Sequence, residues 1–71
     1  MTKWEYATIY TFRGLGGSTV LYLPDGSEQK FPANLGEVTR LLNHLGAEGW
    51  EISVCVGDSA SAVWTLQRAV E

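Results

Sequence analysis

The means of disulfide and zinc chemistry are almost missing from this chain. Its 71 residues include one cysteine, Cys55, and one histidine, His44. No disulfide can close within one chain, and a structural zinc site, which wants four Cys or His ligands, is nearly excluded. Positive charge is also scarce. Lys3, Arg13, Lys30, Arg40 and Arg68 stand scattered against eight acidic residues, for a net charge of −3. No basic patch is left to neutralise phosphates, so nucleic acid is not an expected partner. No run approaches the roughly 20 apolar residues of a membrane span, and Met1 to Tyr10 has neither the apolar core nor the small-residue cleavage site of a signal peptide. The expectation is a soluble cytoplasmic protein without a cofactor, with no membrane partner.

What is present is apolar bulk, at 45% of the chain. A chain of this length makes one domain, residues 1–71, which buries only roughly 60% of the surface its unfolded form exposes and is marginal alone. With disulfides and metal set aside, a second subunit is the leading means of support.

Glycine and proline divide the chain. Residues 3–13 are rich in aromatic and β-branched types and free of both breakers, which predicts a strand. Gly14-Leu15-Gly16-Gly17 ends it. Ser18 to Leu23 resumes strand character, Pro24-Asp25-Gly26 suits a type I turn with its glycine at positive φ, and Glu28 to Phe31 returns, so 18–31 reads as a small inserted hairpin. Asn34 with Glu37 three residues later is a variant capping box. A helix from Leu35 to about Glu48 follows, with Leu35, Val38, Leu41, Leu42 and Leu45 as its apolar stripe. Gly49 fits the left-handed position after the helix, which makes Leu45 and Trp50 the pair that meets in a Schellman motif. Gly46, costly inside a helix, predicts close approach of the helix to the sheet. Trp50 to Val56 alternates as a strand with its even positions apolar, and Ala62 to Arg68 returns as its antiparallel partner. The order β-ββ-α-β-β predicts an α+β fold, an antiparallel sheet of four to five strands with one helix on one face.

Three segments, Trp4-Glu5-Tyr6, Leu42-Asn43-x-Leu45-Gly46-Ala47-Glu48-Gly49-Trp50-Glu51 and Leu66-Gln67-Arg68, resemble a widespread family of small bacterial domains of unknown function. The resemblance covers the first strand, the helix and the final hairpin. It implies a strand, helix, strand, strand core in a bacterial, cytoplasmic setting, and it implies no activity. Family members often carry Lys before the closing Arg, where this chain has Gln67, and the stretch from Gly14 to Phe31 is longer than the usual connection.

The residues that could carry chemistry read as structural. His44 points away from the apolar stripe, between Arg40 and Glu48, and has no second acid or base beside it. Cys55 sits mid-strand, on the face opposite Ile52, Val54 and Val56, without a cation to lower its pKa. The glycine loop lacks the spacing and the following helix of a dinucleotide fingerprint. Glu48 and Glu51 fall on different elements. No catalytic residue, cofactor site or metal site is expected.

The aromatic residues form the unexplained feature. Trp4, Tyr6, Tyr10 and Phe12 share one parity of the first strand and project from one face, while Ala7 and Ile9 project from the other. Trp64 and Leu66 form a similar row in the last strand. Either the aromatic row packs beneath the helix, or it is an interface or ligand face formed by Trp4, Tyr6, Tyr10, Phe12 and Trp64. Two functions follow: a non-enzymatic homo-oligomeric domain acting as an accessory, scaffold or protein-interaction module, or a small-molecule binding module, with or without catalysis, that uses the aromatic face. Itself is the first expected partner, as a dimer and next as a tetramer, with another protein after that.

Overall fold

The structure, a computed structural model, describes residues 3–14, 16–58 and 60–70, which leaves Leu15 of the glycine loop and Ser59 of the last turn outside it. Five strands and one helix follow the expected order: β1 (Lys3–Phe12), β2 (Ser18–Tyr22), β3 (Glu28–Pro32), α1 (Leu35–Ala47), β4 (Glu51–Gly57) and β5 (Ser61–Val70). The sheet is antiparallel throughout, in the order β3-β2-β1-β5-β4. The fold is α+β. Successive antiparallel pairings leave β3 and β4 parallel to each other at opposite edges, so α1 must carry the chain across the sheet between them.

The helix covers the face of small and aliphatic residues. Ala7, Ile9, Leu21 and Leu66 from the strands meet Leu41, Leu45 and Trp50 in one core, with Val38 also buried. Thr11 and Thr19, cross-strand partners on this face, are buried too, and their hydroxyls satisfy each other at 2.8 Å. The aromatic row therefore lies on the uncovered face. Antiparallel partners share a face, and Trp64 pairs with Ile9, so it belongs to the helix side, partly buried against the core. Its expected place beside Tyr6 and Tyr10 is corrected by the β1–β5 register.

The helix ends follow local chemistry. Asn34 Oδ1 accepts the Glu37 N–H at 2.7 Å. Glu37 does not complete the capping box, because its carboxylate turns to the Arg40 guanidinium one turn on. At the other end the Trp50 N–H donates to the Leu45 carbonyl at 3.0 Å and the Gly49 N–H to that of Gly46 at 3.1 Å, with Gly49 at φ 93°. This is the Schellman pattern, and Leu45 and Trp50 are both buried where they meet. The stripe is shorter than its periodicity suggests: Leu35 is 57% exposed. Gly46 is solvent-exposed, and a Cβ built there would meet nothing within 4 Å, so no close approach explains it.

Strand β4 departs furthest from its pattern. Ile52 pairs with Leu66, but Val54 pairs with Thr65, so Ser53 is an extra residue in a bulge. One inserted residue reverses parity. Ile52 and Cys55 therefore share the helix side, while Val54 and Val56 lie with the aromatic row. This replaces the even alternation expected for Ile52, Val54 and Val56. Every residue of β4 is exposed.

Two turns are closed by carboxylates. Asp25 Oδ1 accepts the N–H and hydroxyl of Ser27, and Asp58 Oδ1 accepts the N–H groups of Ala60 and Ser61. Both carboxyls are held below their ordinary 3.8, Asp25 chiefly by the Ser27 hydroxyl and Asp58 by the Ala60 N–H. A carboxyl with a lowered folded pKa contributes stability above its unfolded value, and that contribution is lost as the pH falls through the folded one.

The two helix-end glycines predict opposite outcomes. Gly49→Ala, which puts a Cβ at positive φ, is expected to lower stability by about 1 kcal/mol or more. Gly46→Ala, in open space on the helix, is expected to raise it by up to about 1 kcal/mol. Urea midpoints of the two variants check this; equal shifts of one sign would contradict the cap geometry.

Candidate functional site

Three sequence segments that are far apart in the chain converge on Arg68. Its Nε donates to Glu5 Oε2 at 2.7 Å, across the β1–β5 pair in which the two residues are direct partners. Its Nη1 donates to the Glu48 carbonyl at 3.1 Å, on the residue that caps the helix. The guanidinium plane lies 4.4 Å from the centre of the Trp50 ring. Its Cδ is 3.5 Å from where a Gly49 side chain would begin. Arg68 thus meets a carboxylate, a helix-end carbonyl and an aromatic face together, a combination suited to a planar guanidinium. Next to it Gln67 Nε2 donates to Glu51 Oε1 at 3.2 Å. Glu5, Glu48, Trp50 and Arg68 together form a structural latch between sheet and helix end. The sequence contained all of these residues but no periodic signal that they meet.

The other ionisable candidates stand apart. His44 is on the outer surface of α1, 3.8 Å from Glu48 Oε2. Cys55 is free and exposed on β4. Glu48 and Glu51 are engaged separately, as expected from their elements. Among the described residues no group of three or more His, Cys, Asp or Glu side chains could hold a metal, and no helix is long and apolar enough to cross a membrane.

The surface with the strongest claim to function is the open sheet face. The registers arrange it in cross-strand rows: Lys30, Val20, Tyr10, Val63 and Val56 in one, and Tyr22, Thr8, Thr65 and Val54 in the next. Tyr6 and Trp4 extend it at one end and Phe12 at the other, with Tyr10 and Phe12 in ring contact at 5.5 Å. Val20 is the one residue of this face buried in the single chain. Tyr6 is 52% exposed, Val54 48% and Val56 65%. Charged residues, Lys30 and Glu28 on β3 and Glu51 on β4, sit only at the edges. An apolar centre with a polar rim is the anatomy of a protein interface.

The grooves lie elsewhere. One of about 350 Å³ runs between the start of α1 and β5, lined by Arg13, Leu35, Cys55 and Trp64. A second of about 450 Å³ flanks α1 on its other side, along Leu23, Phe31, Arg40 and His44. A third, about 280 Å³, adjoins the Arg68 latch. Of the five candidate face residues, Trp64 lines the first groove, and Trp4, Tyr6, Tyr10 and Phe12 line none of the three. Comparison with protein-family models, curated proteins and solved structures returned no match.

Removing the latch predicts a measurable loss. A hydrogen bond to a charged group contributes about 1.5–3 kcal/mol and a partly exposed cation–π contact about 0.5–1. Arg68→Ala is expected to cost about 2 kcal/mol or more, and Arg68→Lys about half of that because ammonium cannot serve all three partners. His44→Ala is expected to stay within about 0.5 kcal/mol. Denaturant midpoints of the three variants test the ranking, and a His44 variant as damaged as the Arg68 ones would overturn it.

Proposed function

We infer that this chain is a non-enzymatic homo-oligomeric domain, an accessory, scaffold or protein-interaction module of the bacterial cytoplasm, as the family resemblance implies. One observation supports this above the rest: an aromatic and β-branched sheet face that the chain's own helix leaves uncovered. The five strands hold 37 residues, which at about 3.4 Å per residue and 4.8 Å between strands make a face on the order of 600 Å². That is the lower end of one side of a standard protein interface, roughly 600–1,000 Å² per partner. A soluble monomer rarely leaves such a patch open. An apolar face can cover itself, so a second copy is the simplest occupant, sheet packed on sheet about a twofold axis.

The alternative, a small-molecule site on the aromatic face, is less well supported. Ligand sites are concave, and the grooves of this domain belong to the helix side.

Sedimentation or light scattering at micromolar concentration is expected to give at least twice the 7.8 kDa chain mass. Tyr10→Glu, which puts a charge at the centre of the face, is expected to reduce that mass, and Tyr6→Glu, at a more exposed position, to do the same with less risk to folding. A wild-type mass of one chain over that range would refute the interface.

A further inference from the structure

The two edges of the sheet are built differently. At one edge, β3 carries Glu28 and Lys30 and ends at Pro32. Charge and proline are the usual means of keeping an edge strand from pairing with another chain. At the other edge, β4 runs Ile52-Ser53-Val54-Cys55-Val56-Gly57 without a charge or a proline. All of β4 is exposed on both faces and along its outer side, including Ile52 and Cys55, which the helix does not reach. The β3 edge carries these devices along its length, whereas β4 has only the Ser53 bulge near its start, and Val54 to Gly57 beyond it is free of them.

We propose that β4 pairs antiparallel with β4 of a second copy, joining two five-stranded sheets into one sheet of ten. The occupant is a second copy because the strand's charges suit self-pairing. Its one charged residue, Glu51, lies at its start, so antiparallel pairing puts the two glutamates at opposite ends of the seam. A twofold axis perpendicular to the sheet keeps each face on its own side, so facing residues must share a face. Beyond the Ser53 bulge, pairing centred on Cys55 meets this condition. Cys55 opposes its own counterpart on the helix side, and Val54 opposes Val56 on the open side. The apolar open face then continues across the seam. The edge contact does not depend on the face-to-face contact inferred above. The two together, with crossed twofold axes, give a tetramer built as a dimer of dimers.

Cys55 is the only thiol in the chain, so cross-linking reads the edge alone. Neighbouring strands bring Cα atoms to about 4.5–5.5 Å, within the roughly 4.4–6.8 Å that a disulfide spans. Mild oxidation, or a short bismaleimide, is expected to yield a covalent species of twice the chain mass, both in the wild type and in Tyr10→Glu. Cys55→Lys, a change at an exposed position on the helix side, is expected to halve the wild-type mass while leaving the folded circular dichroism spectrum intact. Absence of the cross-linked dimer, or an unchanged mass in Cys55→Lys, would overturn the edge pairing. A mass insensitive to Tyr10→Glu but halved by Cys55→Lys would remove the face contact and leave the edge contact standing.

Discussion

The Arg68 guanidinium is the contact on which the arrangement of helix and sheet depends. Without it, the helix C-terminus would be attached to the sheet only through apolar packing, which is non-directional. Arg68 adds direction. It binds Glu5 on the neighbouring strand, the carbonyl of Glu48 at the helix end and the ring of Trp50. The Schellman turn brings Trp50 back over Leu45, and Arg68 then holds the turn from the sheet side. The helix lies over β2, β1 and β5, where Leu41 and Leu45 meet Leu21, Ala7, Ile9 and Leu66, and β4 stays outside that cover.

A helix of 13 residues is about 20 Å long and 10 Å across, which cannot cover a five-stranded sheet. In β1 the limited cover falls on the smaller side chains. Ala7 and Ile9 allow the helix to approach, whereas Tyr6 and Tyr10 at the alternate positions would hold it off. The aromatic row is therefore on the far face for a steric reason. The Ser53 bulge adds to this by turning Val54 and Val56 toward the same far face, where the β4 alternation would otherwise have put Ser53 and Cys55.

Much of the fold was legible because its signals are local. The cap formed by Leu45, Gly49 and Trp50 rests on contacts five residues apart, and the hairpin turns rest on Pro24-Asp25-Gly26 and on Asp58. The order of elements followed from glycine and proline punctuation. What was not legible depends on distant partners. The parity of β1 shows two faces but does not say which one the helix takes. Trp64 shares a face with Ile9 only because of the β1–β5 register. Ser53 carries no glycine or other mark of a bulge, and the Glu5–Arg68 pair spans 63 residues. Trp4, Tyr6, Tyr10 and Phe12 were legible as one face, but not as the face the helix leaves open. The contribution of Val54 and Val56 to it was hidden behind the bulge.

The difference between β3 and β4 bears on stability as well as assembly. A strand gains stability from what it buries, and β4 as a single chain gains little beyond its ladder to β5. Gly57 closes that ladder under constraint, since a Cβ there would fall 2.4 Å from the Ala62 backbone. In the proposed assembly a second copy supplies the missing burial. The population of folded chains then rises with protein concentration, because association draws on the folded form alone. Folding and assembly become one linked equilibrium centred on β4, while β3, with its charges and its proline, keeps the ten-stranded sheet from growing further at its outer edges.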